Sequence, residues 1–254
     1  MFEYCVGYNT EIGNTHSVNQ DSICLRTVRT EAAGVLYAGV FDGMGGLSEG
    51  ERISGAAAKL FSDYASRQTE DPCTVDGERF RSDVSAWFAE LNEKVRAFDR
   101  KNGISGGTTA VMLFTDGLRY RVCNVGDSRA YLLRGGMVTR LSRDHTQVAR
   151  LVEAGMLTEE AAARQNIRSL LTQAVGTLEV LTPDFSEGEC EDGDTFLLCS
   201  DGLYGELSGS ELLELAEIPA ERTAMTGALQ ELTHRVMERG ETDNITGILI
   251  KVKK

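Results

Sequence analysis

Hydrophobic and polar positions along the chain predict short strands in blocks, with helices between the blocks. In the first third, β-rich apolar runs end at turn residues, and the last of them leads into a glycine-rich turn. Apolar residues then recur at helical spacing, and the aromatic stripe between Phe80 and Phe98 predicts a helix that faces the core. The predicted strands here are 2–8, 22–28 and 35–41, and the predicted helices are 49–66 and 78–101.

After Gly107 the pattern changes to short β-rich runs, and Asp116-Gly117 and Gly135-Gly136 predict tight hairpin turns between them. The predicted strands are 108–114, 118–125, 130–134, 137–141, 195–199 and 245–252, and the predicted helices are 147–168, 208–217 and 222–238. Strands and helices do not alternate one by one. The pattern therefore favours an α+β fold of antiparallel sheets with helices outside over a doubly wound parallel sheet.

The net charge of the chain argues against two classes of binding partner. Asp and Glu number 39 and Lys and Arg 26, which gives a net charge of −13 and argues against nucleic acid or an anionic membrane. No apolar run approaches the ~20 residues of a membrane helix. The N-terminus lacks the basic and apolar regions of a signal peptide, so we expect a cytoplasmic protein. The six cysteines form no C-x-x-C motif and are expected to be free thiols without a catalytic role.

Five aspartates lie at the ends of predicted strands: Asp21, Asp42, Asp127, Asp201 and Asp243. Carboxylates from separate segments converge only if something offsets their repulsion, and Mg²⁺ or Mn²⁺ does so because hard cations take oxygen ligands. The competing interpretation is that these are turn aspartates that cap backbone N–H groups, and the pattern alone leaves both open. The glycine-rich run at 43–46 lacks the Gly-Lys-Ser/Thr of a phosphate-binding loop.

Seven segments, in this order, resemble the metal-dependent serine/threonine protein phosphatases of type 2C (PPM). They are Asn19-Gln20-Asp21, Asp42-Gly43-Met44-Gly45-Gly46, Ser105-Gly106-Gly107-Thr108-Thr109, Val125-Gly126-Asp127-Ser128-Arg129, Asp144-His145-Thr146, Ser200-Asp201-Gly202 and Asp243-Asn244-Ile245-Thr246. The chain resembles a bacterial catalytic domain of this family, with Met44 where many eukaryotic members have histidine.

The resemblance implies a four-layer α-β-β-α sandwich, formed by residues 1–254 as a single phosphatase catalytic domain with a flap at 147–174. It also implies a metal site at one end of the sandwich. Asp42 would bridge two ions, with Asp201 and Asp243 completing one, and the Gly43 carbonyl binding the other. Asp21 would order the second ion's water shell, and Asp127 would hold a third, weaker ion together with Asp201.

The implied activity is hydrolysis of phosphoserine and phosphothreonine in proteins by a water activated between two Mn²⁺ or Mg²⁺ ions, with Asp42, Asp201 and Asp243 as catalytic residues. Met44 has no proton for the leaving alkoxide, and a water on the third ion is the preferred donor. The expected substrates are targets of a serine/threonine kinase, and the expected state is a monomer. The alternatives are a catalytically weak regulator that binds phosphoproteins, and a hydrolase of small phosphate esters.

His16 departs from the family pattern, because it stands where members usually carry an arginine that grips the substrate phosphate. Arginine binds two oxygens at once, whereas histidine offers one donor per nitrogen and titrates near neutral pH. Either His16 binds the phosphate more weakly, or it points elsewhere and the metals alone hold the phosphate. Of the neighbouring motif residues, Arg129 is expected to anchor the loop of Asp127, and His145 to be structural.

Overall fold

A computed structural model describes residues 3–30, 34–45, 49–158, 161 and 170–253. Its strands are β1 (Glu3–Glu11), β2 (Asp21–Arg29), β3 (Gly34–Met44), β4 (Gly107–Thr108), β5 (Ala110–Thr115), β6 (Arg119–Val125), β7 (Arg129–Arg134), β8 (Met137–Arg140), β9 (Asp184–Glu189), β10 (Thr195–Cys199) and β11 (Ile245–Lys253). Its helices include α1 (Glu49–Ser66), α2 (Gly77–Asn102), α3 (Gln147–Glu153), α4 (Asp201–Tyr204), α5 (Gly209–Glu217) and α6 (Arg222–Glu238).

The strands form two antiparallel sheets. One has the order β1-β11-β10-β7-β8, and the other has the order β2-β3-β5-β6-β9, with β4 paired to β3. Side chains such as Val40, Val111, Phe196 and Ile248 form the buried layer between the sheets. Separate apolar clusters lie under α1 and α2 on one side and under α4, α5 and α6 on the other. The predicted α-β-β-α sandwich is confirmed.

Helix α2 shows how the sequence specifies an element. Its aromatic stripe is buried, with Phe80 and Phe88 at 3% and 0% exposure, as the helical spacing predicts. Asp76 caps its first turn by accepting hydrogen bonds from the N–H groups of Glu78 and Arg79. Gly103 ends the helix in the left-handed conformation at φ 65°.

Of the other predicted elements, some are confirmed and some differ. Both hairpin turns are confirmed, since β5 pairs with β6 and β7 pairs with β8. The helix predicted over 147–168 is shorter where it is described, since α3 ends at Glu153, while 159–160 and 162–169 lie outside the described residues. The flap at 147–174 and the single-domain assignment stay predictions. None of the helices in the described part of the chain is both long and apolar enough to span a membrane.

Candidate metal centre

Asp21 and Asp42 are brought together by strand pairing. They are direct partners in the β2–β3 register, at the end of the sheet. The Asp42 N–H donates to Thr109 Oγ1 at 3.1 Å, and its carbonyl accepts from the Thr109 N–H at 2.8 Å. The prediction that β3 ends at residue 41 is wrong, because the strand continues to Met44 by pairing with β4. Asp42 therefore projects from a backbone held on both sides.

Gly43 lies where a side chain has no room. A Cβ atom there would be 2.2 Å from the Gly50 carbonyl oxygen and 2.6 Å from that of Gln20. The Gly43 N–H donates to the Gln20 carbonyl at 3.1 Å. The N-terminal end of α1 thus packs directly on the backbone that carries Asp42.

Asp201 and Asp243 meet through a second close backbone approach. Asp201 follows β10 and is the first residue of α4, a single turn. A Cβ atom on Gly202 would lie 2.2 Å from the Asn244 carbonyl oxygen, so glycine lets this turn contact the segment just before β11. Asp243 Oδ1 accepts a hydrogen bond from the Asn244 N–H at 2.7 Å.

Asp127 enters from the turn between β6 and β7. Gly126 has φ 103°, a conformation that favours glycine, and a Cβ atom there would be 2.6 Å from the Thr109 Cβ. The Thr109 and Ser128 hydroxyls lie 2.6 Å apart. Thr109 therefore contacts both the backbone of Asp42 and the turn that carries Asp127.

The aspartates interact electrostatically as one cluster. Burial is the main cause, and neighbouring carboxylates the second, that together raise the pKa of Asp21 to about 7, of Asp127 to about 8 and of Asp201 to about 6. Burial also raises the pKa of Asp42 well above its usual value, and the charges of the four other aspartates add to this. At neutral pH the cluster carries negative charge that an added cation would stabilise.

The residues present fit a divalent cation. Asp21 Oδ1 and Asp201 Oδ1 are buried and have no hydrogen-bond partner, which is costly for a carboxylate unless a ligand meets it. Among the described residues, no three His, Cys, Asp or Glu side chains are arranged so that they could hold a metal ion by themselves. Carboxylate oxygens would therefore be joined by other ligands, such as the Gly43 carbonyl and water, as Mg²⁺ and Mn²⁺ accept.

The sequence motifs gave no role to three polar residues beside the aspartates. Ser200 Oγ donates to Asp21 Oδ2 at 2.8 Å and accepts from the Thr246 N–H at 3.1 Å. Asn244 holds the loop before β2, because its side chain donates to the Ile12 carbonyl and accepts from the Gln20 N–H, each at 2.8 Å. Glu241 adds to the negative charge felt by Asp201. Their one sequence signal was position, directly beside or close to Asp201 and Asp243.

The structure also describes the contacts of His16, Arg129 and His145, the three other residues singled out in the sequence. His16 Nε2 lies 3.5 Å from Asp243 Oδ1, and both side chains are roughly half exposed. Arg129 pairs with Asp144, with its Nη2 2.6 Å from Oδ2, which confirms an anchoring contact. His145 is buried, and its Nδ1 accepts from the Gly126 N–H at 3.0 Å, so its contact with the Asp127 turn is structural, as expected.

Comparison with known proteins agrees with this geometry. The sequence profile of the family described as Protein phosphatase 2C matches residues 6–245. The protein phosphatase PhpP of Streptococcus pneumoniae is 31% identical over 254 residues, covering 96% of each chain. The serine/threonine protein phosphatase PstP of Mycobacterium tuberculosis is 31% identical over an alignment of 244 residues that covers 94% of this chain and 43% of PstP.

Solved structures show the same fold. The Streptococcus agalactiae serine/threonine phosphatase superposes with a TM-score of 0.85 at 29% identity, covering 98% of this chain and 99% of that one. The catalytic domain of PstP, in complex with two manganese ions, superposes with a TM-score of 0.81 at 26% identity and covers 100% of both chains. The chain belongs to the protein phosphatase 2C family and is a metal-dependent protein serine/threonine phosphatase.

Proposed function

We propose that the aspartate cluster holds two Mn²⁺ or Mg²⁺ ions for the hydrolysis of phosphoserine and phosphothreonine, and a third ion more weakly. The proposed ligands are Asp21, Asp42, Gly43, Asp127, Asp201 and Asp243. The carrying observation is that Asp21 and Asp42 meet in the strand register, and that buried carboxylate oxygens of Asp21 and Asp201 have no hydrogen-bond partner. When bound, such ions supply an activated water and positive charge that stabilises the phosphoryl oxygens.

In this proposal water attacks phosphorus, because the cysteine thiols are unsuitable as nucleophiles. Five of the six cysteines are buried, and burial raises the pKa of Cys24 and Cys190 to about 11 and of Cys199 to about 12. Such thiols hold their protons at neutral pH and are poor nucleophiles. The task of Asp42, Asp201 and Asp243 in this proposal is to position charge and water at the rim of the two sheets.

His16 is the proposed contact for the substrate phosphate. Its imidazole lies beside Asp243 and is partly exposed, so a phosphate bound at the cluster comes within its reach. A protonated imidazole can donate from both ring nitrogens to an anion. The source of the proton for the leaving alkoxide stays a prediction.

The proposed substrates are proteins phosphorylated by a serine/threonine kinase, and the proposed working unit is a monomer. The expected cytoplasmic location stays a prediction. A catalytically weak regulator or a small phosphate-ester hydrolase is not supported by the similarity to protein phosphatases along the whole chain.

The test measures phosphate release from a phosphothreonine peptide and from p-nitrophenyl phosphate, with Mn²⁺ and then with excess EDTA. We expect metal-dependent release that Asp42→Asn lowers by about 10²-fold or more. Asp63→Asn, an exposed aspartate on α1, serves as the matched control and should retain activity. Peptide binding without turnover would support the regulator, and turnover of p-nitrophenyl phosphate alone would support the small-ester hydrolase.

A further inference from the structure

Helix α4 connects two aspartates of the cluster. Asp201 is its first residue and Tyr204 its last. The Tyr204 hydroxyl donates to the main-chain carbonyl oxygen of Asp127 at 3.0 Å. One helical turn therefore carries Asp201 at its start and, at its end, a direct contact to the backbone of Asp127.

The ring of Tyr204 is itself held in place. The Arg129 guanidinium carbon lies 3.7 Å from the centre of the ring, which is a close cation–π contact. Arg129 is fixed by Asp144, to which its Nε donates at 3.0 Å and its Nη2 at 2.6 Å. Its Nη1 donates to the Tyr131 hydroxyl at 3.0 Å. A planar guanidinium bound on two edges and stacked on a ring restricts the ring's movement.

The Tyr204 hydroxyl is the donor in this contact, because a main-chain carbonyl oxygen can only accept. The carbonyl that it meets belongs to Asp127 itself, so the contact sets the backbone from which that carboxylate projects.

We propose that Tyr204, backed by Arg129, is a positioning residue that fixes the separation of Asp127 and Asp201, and with it the affinity of the weaker cation that this pair would share. The inference rests on the proposed function, because it assumes a cation site at Asp127. Without the Tyr204 contact, the carboxylates of Asp127 and Asp201 lie on separate segments, carry like charges and are free to move apart. A cation then has to bring them together, which lowers its affinity.

The test is a calorimetric titration of the folded 254-residue chain with Mn²⁺, which separates tight from weak binding without relying on activity. We expect Tyr204→Phe to weaken the weak step by about 10-fold while the tight step is unchanged. Phenylalanine keeps the ring beneath Arg129 and removes only the hydroxyl. Arg129→Lys keeps the charge but loses the contact that Nε and Nη2 make together with Asp144, and it should weaken the same step.

Tyr131→Phe is the matched control. It removes the hydroxyl of the other tyrosine that contacts Arg129 but no contact to Asp127, and Asp144 still holds the guanidinium through Nε and Nη2, so its Mn²⁺ titration should match that of the unaltered chain. An unchanged weak step in Tyr204→Phe, or an equal shift in Tyr131→Phe, overturns the role of Tyr204. If the unaltered chain has a tight step and no weak one, the third ion of the proposed function is wrong, and this inference is overturned with it.

Discussion

Ser200 and Asn244 help to position the aspartates through hydrogen bonds, although neither residue is acidic. Ser200 gives Asp21 a hydrogen bond, and Asn244 fixes the loop that leads to Asp21. Sequence motifs identified the aspartates, because charge at a strand end is a visible pattern, and a following glycine makes it more distinct at Asp42 and Asp201. They did not identify the roles of these neighbours, because a hydroxyl or amide acquires its partner only when distant segments meet.

At this scale we expect Ser200→Ala to weaken Mn²⁺ binding by about 10-fold, since Asp21 loses the hydrogen bond that orients its Oδ2. The measurement is the Mn²⁺ concentration that gives half-maximal phosphatase activity. Ser210→Ala, at an exposed serine on α5, is the control and should leave that concentration unchanged. Equal behaviour of the two variants would contradict the role given to Ser200.

His16 permits a second single-residue test. If His16 binds phosphate, His16→Arg should lower the KM for a phosphothreonine peptide, because a guanidinium is always charged and binds two oxygens at once. The KM is compared with that of His234→Arg, which adds the same charge at an exposed position on α6. An unchanged or higher KM in His16→Arg favours the other interpretation, in which His16 does not touch the phosphate.

Among the elements, those with a strong periodic pattern were predicted and those without one were not. The buried stripe of α2 is an example of the first kind. Strand β9, with the sequence Asp-Phe-Ser-Glu-Gly-Glu, is polar and exists because it pairs with β6 at the edge of its sheet. The single turn of α4 is too short to produce a period, and only its contacts define it.

The segment after 174 offers a test at the scale of elements. Asn92, buried on α2, accepts from the Gly176 N–H at 2.7 Å and donates to the Leu178 carbonyl at 3.0 Å. Asn92→Ala leaves these backbone groups unpaired and should lower the free energy of unfolding by about 1–3 kcal/mol.

Thermal unfolding and amide hydrogen exchange over 174–180 would measure this effect. The control is Asn102→Ala, since Asn102 is exposed at the end of the same helix and should cost far less. If the exchange rates of the segment are the same in both variants, Asn92 does not hold it.

For the molecule as a whole, part of the excess of acidic residues lies in the aspartate cluster, and the rest lies elsewhere along the chain. The net charge of −13 argued against nucleic acid as a partner but did not locate any site. The fold supplies the location, because β2 with β3, the β6–β7 turn, α4 and the segment before β11 bring five carboxylates to one end of the sandwich. Concentrated and buried charge of this kind makes stability depend on pH.

The sign of that dependence follows from the direction of the pKa shifts. Asp21, Asp127 and Asp201 have folded pKa values of about 7, 8 and 6, above the ordinary 3.8, so the folded chain holds protons that the unfolded chain has released. In EDTA, the free energy of unfolding should therefore fall as the pH rises from about 5 to about 8. Saturating Mn²⁺ should offset this fall, and its stabilising effect should grow with pH.

Asp42→Asn separates this effect from general charge repulsion. It removes the carboxylate that is coupled to all the others, so in EDTA at about pH 8 the variant should unfold at a higher Tm than the unaltered chain, by about 2–4 °C for each 1 kcal/mol gained. It should also lose most of the stabilisation by Mn²⁺. Asp63→Asn removes one exposed charge and should do neither. Because the cluster is protonated at lower pH, the gain in Asp42→Asn should shrink toward about pH 5, and a gain independent of pH would show that repulsion within the cluster is not its cause.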